Sequence, residues 1–184
     1  MIFEKIKKII SQRSRKVIED KNLIPAAVLI LLYKKANKVY LLFTRRTDKV
    51  ASHKGEISFP GGVREHKNEP PELTALREAQ EEVGINPHQV EILGLLDDCI
   101  TVSTNYVITP VVGVSHSLLH FKINPEEVDE VIEIPLSFFQ SALQQKPPSP
   151  SEFFLAPITF NYGNYHIWGA TARILNQFLE LLKK

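Results

Sequence analysis

Cysteine is almost missing from this chain: Cys99 is the one thiol in 184 residues. No disulfide can form within the molecule, and the composition fits a reducing, cytoplasmic setting. No other feature singles Cys99 out, so it reads as a small buried hydrophobe rather than a nucleophile. Excess charge is also missing. The formal net charge is +1, which argues against a dedicated nucleic-acid binder. Long apolar runs are absent as well. The run over residues 26–32 falls far short of the roughly 20 residues a membrane span needs. There is no internal repeat and no low-complexity segment. What remains is ordinary: 43% hydrophobic and 23% charged residues make one domain over residues 1–184 with a sizeable core.

The first twenty residues set Ile2, Phe3, Ile6, Ile9 and Ile10 at helical spacing with Lys5, Lys7 and Lys8 between them. This predicts a basic amphipathic helix within residues 1–20. It lacks the apolar core and small-residue cleavage site of a signal peptide. Packing on its own domain is expected; a membrane surface or a second subunit, in a homodimer, is the alternative. Residues 26–32 and 39–44 read as two strands of a hairpin. A basic connection follows, with Arg45, Arg46, Lys49, His53 and Lys54, and Arg64, His66 and Lys67 lie beyond the Gly61-Gly62 turn.

Further strands are expected over 89–96, in two runs within 100–115 and over 128–134, with Pro110 marking an edge or a bulge. A short helix over 135–143, a loop at 146–151, a hairpin from 153–160 to 165–168 and a closing helix over about 169–182 complete the chain. Hairpins mixed with helices make an α/β fold, a mixed sheet between helical layers. Trp168 is expected as a core aromatic rather than a base-stacking platform.

The most informative stretch runs from Phe59 to Ile85. Pro70 and Pro71 suit a first helical turn, Glu69 and Glu72 suit the positive end of its dipole, and Gly84 suits a left-handed cap. At 100° per residue Leu73, Leu76, Ala79 and Val83 share one face, and Glu78, Glu81 and Glu82 gather on the opposite one. Like charges at these spacings repel by roughly 0.2–0.5 kcal/mol per pair. Two readings fit: a solvated acidic face, or a seat for a hard divalent cation, Mg²⁺ or Mn²⁺. The Gly-Gly turn just upstream favours the second, because glycines let backbone approach a ligand closely.

Arg77, Glu78, Ala79, Glu81, Glu82, Gly84 and Ile85, with Glu69 eight residues before Arg77, resemble the Nudix box, G-x5-E-x7-R-E-U-x-E-E-x-G-U with U apolar. One departure is the leading glycine: Val63 stands at its position, and Gly62 lies one residue early. That longer spacing is similar to the coenzyme A pyrophosphatase branch. So are Leu42-Phe43-Thr44-Arg45-Arg46-Thr47 and Gly55 to Gly62, although Thr47 and Ala51 stand where that signature has a small residue and an Arg. Segments 106–112, 127–131 and 166–172 resemble the same branch, so the likeness covers about residues 25–175.

The resemblance implies an α/β/α sandwich and metal-dependent hydrolysis of a diphosphate bond in a small-molecule substrate. For coenzyme A or acyl-CoA the products would be 3′,5′-ADP and (acyl-)4′-phosphopantetheine. The metal, Mg²⁺ or Mn²⁺, falls to Glu78 and Glu82, with Glu81 as third ligand or base and the Gly61 carbonyl as a further candidate. Arg77 would orient these carboxylates. Glu127 or Glu130 is the alternative base, and Arg46, His53 and Lys54 are the candidate substrate cations. Other nucleoside diphosphate derivatives, such as ADP-ribose or a dinucleotide, form a second substrate class. A nucleotide-binding module that has lost catalysis is the reading from another class, and the intact glutamates count against it.

Overall fold

β1 (Ile24–Lys35) is buried along most of its length, as its Val, Ile and Leu content requires for a strand covered on both faces. The computed structural model describes residues 2–49, 55–66, 68–102, 104–144 and 158–183. β1 turns through Ala36-Asn37, both at positive φ, into β2 (Lys38–Arg46). Then come β3 (Ile57–Ser58), β4 (Gly61–Val63), helix α2 (Pro71–Val83), β5 (Val90–Leu95), β6 (Cys99–Ile100) and β7 (Tyr106–Ser115). β8 (Val128–Pro135), α3 (Leu136–Gln144), the hairpin β9 (Phe160–Tyr162) to β10 (Tyr165–Ile167), and α4 (Gly169–Leu182) follow.

Eight strands form one mixed sheet. β1 runs parallel to β7 from Ile24↔Tyr106 to Tyr33↔Ser115, and β2 runs antiparallel to β8. On one face Phe43, Phe139 and Phe178 join residues of α1 (Ile2–Ser11), α3 and α4 in a single core. On the other, α2 lays Ala75, Ala79 and Val83 on Ala27, Leu29 and Leu31. Helices on both faces make the α/β/α sandwich the sequence implied.

α1 buries Phe3, Ile6 and Ile10 but ends at Ser11, short of residue 20. The chain beyond it is pinned instead by the Asp97-Asp98 turn. Arg13 pairs with Asp97, Arg15 reaches Asp98 at 2.5 Å, and the Ile18 amide donates to Asp98 at 2.9 Å. Pro110, expected at an edge or a bulge, lies inside the central strand β7. Its carbonyl accepts from the Leu96 amide at 2.9 Å, so its nitrogen faces the break between β5 and β6, where a missing N–H forfeits no ladder bond. Residues 145–157, which hold the expected loop and the first part of the last hairpin, lie outside the described residues. No described helix is long and apolar enough to cross a membrane.

Candidate active site

β1 and β2 pair with each other only near their turn, from Leu32↔Leu41 to Lys35↔Lys38. Beyond that point they separate, and residues 57–63 lie between them. β3 pairs with β2 at Thr44↔Ser58, β4 pairs with β1 at Val28↔Gly61, and the Leu29 amide donates to the Pro60 carbonyl at 2.8 Å. At its two glycines this wedge has no room for a side chain. Gly61 has φ +157°, and a Cβ there would lie 2.3 Å from the Ala27 carbonyl oxygen. A Cβ on Gly62 would lie 2.5 Å from the Glu78 carboxyl group. The second glycine is therefore the floor on which Glu78 rests.

α2 begins at Pro71 and ends on Gly84 in the left-handed conformation, whose amide closes the helix onto Gln80 at 2.9 Å. Its buried arc keeps Ala79 and Val83, with Leu76 packed beside them, but is shifted from the one the sequence predicted. Leu73 is 57% exposed, and Thr74, Ala75, Ala79, Glu82 and Val83 face inward. The physical reason is size: alanines let the helix lie close to β1 and the glycine wedge, and this rotates the carboxylates toward the sheet. Glu82 is 3% exposed, so the acidic face is not a simple solvated surface.

Burial pushes the Glu82 carboxyl up to about 8. Arg46 and the Gly61 N–H oppose that shift, and the nearby charges of Glu78 and Glu127 add to it. Its Oε1 lies 3.9 Å from Arg46, and its Oε2 is buried without a hydrogen-bond partner among the described residues. Burial also raises Glu78 above the usual carboxylate range, against the pull of Arg77.

Arg77 gathers the surrounding acids. Its Nη1 donates to Glu78 at 2.7 Å and to Glu81 at 3.3 Å, its Nε to Glu69 at 3.3 Å and its Nη2 to the Val63 carbonyl at 3.1 Å. These contacts hold the guanidinium above its ordinary pKa despite partial burial. Glu69 is buried, which pushes it up, but the Glu65 amide, Thr74 hydroxyl and Arg77 outweigh this and hold it below its ordinary value. Glu69 thus fixes Arg77, and Arg77 fixes Glu78. Glu81 has a half-exposed side chain and touches the group through Arg77.

Glu127 arrives from the far side. The segment before it caps α2, with the Lys122 amide donating to Val83 at 2.9 Å and the Asn124 amide to Glu82 at 2.8 Å. The Glu127 carbonyl then accepts from the Thr47 amide at 3.0 Å. This brings its carboxylate within electrostatic reach of Glu78 and Glu82. Glu130 is engaged elsewhere, by Tyr165 at 2.6 Å and Arg45 at 2.9 Å. Among the basic residues before the glycines, Arg45 pairs with Asp129 and Glu130 and Lys49 with Glu126. Arg46 is turned toward Glu82. His53 and Lys54 lie outside the described residues.

A cavity of about 390 Å³ opens beside Arg46, Phe59, Gly61 and Gly62 and continues to Trp168 and Arg173 at the start of α4. Trp168, expected in the core, is 48% exposed on this cavity. Its position between a strand and a helix, where chain is commonly exposed, was the available signal. Gly62 also escaped the sequence reading as a site residue, because its role is a close approach to a side chain sixteen positions on.

Among the described residues no three His, Cys, Asp or Glu side chains stand together as a ready-made metal cage. The donor set still fits a hard divalent ion. A buried carboxylate oxygen without a partner faces a site of negative charge, and Mg²⁺ takes one or two carboxylates together with substrate phosphate oxygens rather than an all-protein cage.

The family model for the NUDIX domain matches residues 23–153. The chain belongs to the Nudix hydrolase family. Nudix hydrolases generally work with divalent metals. Over 113 residues the chain is 42% identical to the peroxisomal coenzyme A diphosphatase NUDT7 of Mus musculus, a match covering 61% of this chain and 48% of that protein. It thus spans about half the length of the mouse relative. It is 36% identical over 157 residues to the uncharacterized Nudix hydrolase NudL of Citrobacter koseri, covering 83% of this chain and 79% of the relative. Two solved structures share the fold. The NUDIX domain of Shewanella oneidensis NrtR, in complex with ADP ribose, has a TM-score of 0.55 and 18% identity over 89% of this chain and 90% of its own. A MutT/nudix family protein from Enterococcus faecalis has a TM-score of 0.57 and 16% identity over 98% of this chain and 74% of its own. At such identities the likeness is one of fold.

Proposed function

We propose that this Nudix hydrolase cleaves the diphosphate bond of coenzyme A or acyl-CoA, releasing 3′,5′-ADP and (acyl-)4′-phosphopantetheine, with Mg²⁺ or Mn²⁺. The observation that carries the site is the contact between the Gly61-Gly62 wedge and the partly buried pair Glu78 and Glu82, with Arg46 beside them. What supports the substrate is the 42% identity to a coenzyme A diphosphatase. Glu78 and Glu82 would hold the metal, with the Gly61 carbonyl as a third donor. The bound ion would offset the charge of the diphosphate oxygens and make a water more acidic.

The rest of the work falls to the chain. Glu82 must lose its proton before it can act as a ligand, and Arg46 favours that charged form. Arg77 keeps Glu78 aimed at the glycines. Glu127 is our candidate for the base that takes the proton of the attacking water, since it approaches the pair from outside the Arg77 cluster; Glu81 is held by Arg77. The position of Arg46, 3.9 Å from Glu82, suits the scissile diphosphate better than a distant 3′-phosphate. His53 and Lys54 remain candidate substrate cations.

Product identification with coenzyme A, dephospho-coenzyme A, ADP-ribose and a dinucleotide, in Mg²⁺ and then Mn²⁺, tests the reading. Coenzyme A or its thioester should give the highest kcat/KM and the two products named. ADP-ribose or the dinucleotide outrunning it would transfer the protein to that second substrate class. Arg46→Ala should depress all four reactions alike.

A further inference from the structure

Trp168 has no task in the chemistry above. It is the single tryptophan of the chain, it follows β10 with an extended backbone (φ −145°, ψ −176°), and it leaves nearly half its surface bare. Val102, on the turn between β6 and β7, lines the same cavity and is 91% exposed. Two large apolar side chains left open in one cavity mark a ligand surface more than a packing fault.

The walls that carry them are fixed. The Thr101 amide donates to the Tyr106 carbonyl at 2.9 Å, and the Tyr106 amide donates to the Thr101 hydroxyl at 2.9 Å. Thr104 donates to the same hydroxyl at 2.9 Å, and Arg173 of α4 reaches across to the Ile100 carbonyl at 2.7 Å. The hairpin and the helix that bear Val102 and Trp168 are thereby tied together before any ligand arrives. The cavity is continuous with the glycine wedge and Arg46, so a molecule whose diphosphate meets the carboxylates extends toward the indole.

We propose that Trp168 is the stacking platform for the purine base of the substrate, and so a specificity-determining residue. The inference rests on the reading that a nucleoside diphosphate derivative occupies this cavity. An indole offers a flat apolar face to a flat heteroaromatic ring, and Thr104 and Thr171 line the same cavity; the Thr104 hydroxyl gives its proton to Thr101 and keeps an acceptor for a base edge. A flexible thioester arm gains little from such a plane.

Trp168 reports on itself, because it is the protein's sole indole fluorophore. Titrating metal-free protein with 3′,5′-ADP should change its emission saturably, and 4′-phosphopantetheine should not. Trp168→Ala should raise KM for the hydrolysed substrate by roughly 5- to 150-fold, the factor that losing one base–aromatic stack implies, with a much smaller change in kcat. Trp168→Phe should recover most of the loss. A response to phosphopantetheine and not to the nucleotide, or an unchanged KM in Trp168→Ala, overturns the proposal. Coenzyme A hydrolysis that is indifferent to Trp168 would leave the proposed function standing and remove this inference. Saturable quenching by 3′,5′-ADP in a protein that cleaves none of the four test compounds would do the reverse.

Discussion

On one face of the sheet Phe43 stacks on Phe59 with ring centroids 4.6 Å apart and meets Phe139 at 6.0 Å, under α1, α3 and α4. On the other face α2 approaches through alanines and brings a carboxylate in with them. Large rings exclude water and fill volume, so the first face contributes stability. The second gives up some packing to place Glu78 and Glu82 against a glycine floor, at the cost of a charge with too little solvent. The contrast teaches where to expect damage: substitutions on the aromatic face should act on folding, those on the α2 face on turnover.

Two substitutions test that division most severely. Glu82→Gln should cut kcat by roughly three orders of magnitude, the several kcal/mol a metal-held charge supplies, while leaving the fold intact. Phe139→Ala should do the opposite, costing about 3–5 kcal/mol of stability with kcat of the folded fraction little changed. Thermal melts and single-temperature kinetics on both variants decide it.

The pH dependence sharpens the same point. In metal-free protein the folded pKa of Glu82, about 8, lies above its unfolded value. Its contribution is fully present below that unfolded value and is lost as pH rises through about 8. Glu82→Gln should therefore raise Tm at pH 8, by about 2–4 °C for each kcal/mol relieved, and much less at pH 5. Equal effects at both pH values would mean that the carboxyl is not strained.

The neighbouring glycines divide the same way at the scale of one residue. Gly61→Ala forces a Cβ into backbone at a φ that favours glycine, and it should destabilise by roughly 1–3 kcal/mol. In Gly62→Ala the nearest atoms to the new Cβ are the end of the Glu78 side chain, which can swing away. The substitution should leave the melt nearly unchanged and lower kcat by about 10-fold or more, as displaced metal ligands do. Matching losses of Tm in the two variants would erase the distinction.

The smallest effect belongs to Leu73, 57% exposed on α2. Leu73→Gln should change stability by within about 0.5 kcal/mol and leave kcat alone. A larger loss would return this leucine to the buried face the sequence assigned it.

That misplaced leucine shows what the sequence could and could not convey. The elements themselves were legible: strong periodicity marked α1, α2 and α4, and residues 26–44 marked the central hairpin. The acid helix and its resemblance named the candidate site. The rotation of α2 was hidden, because apolar spacing records preference and not how closely small residues let a helix approach. Trp168 was hidden for the same reason, as its burial depends on what α4 and the β6–β7 turn leave uncovered. Pro110 read as an edge signal, since a one-dimensional pattern cannot show that its nitrogen faces a gap between two short strands.

The wedge of residues 57–63 also has a consequence in time. Its two short strands are held by β2 and β1, which must already be in place. One of them, β1, is set against β7, through pairs such as Ile24↔Tyr106 that lie far apart in sequence. Non-local pairings of this kind form slowly, because loop entropy is spent before contacts repay it. The glycine floor and the buried oxygen of Glu82 should therefore be among the last features to appear when the chain refolds. Recovery of catalysis should trail recovery of helical circular dichroism, so that activity reports the completion of folding rather than its onset.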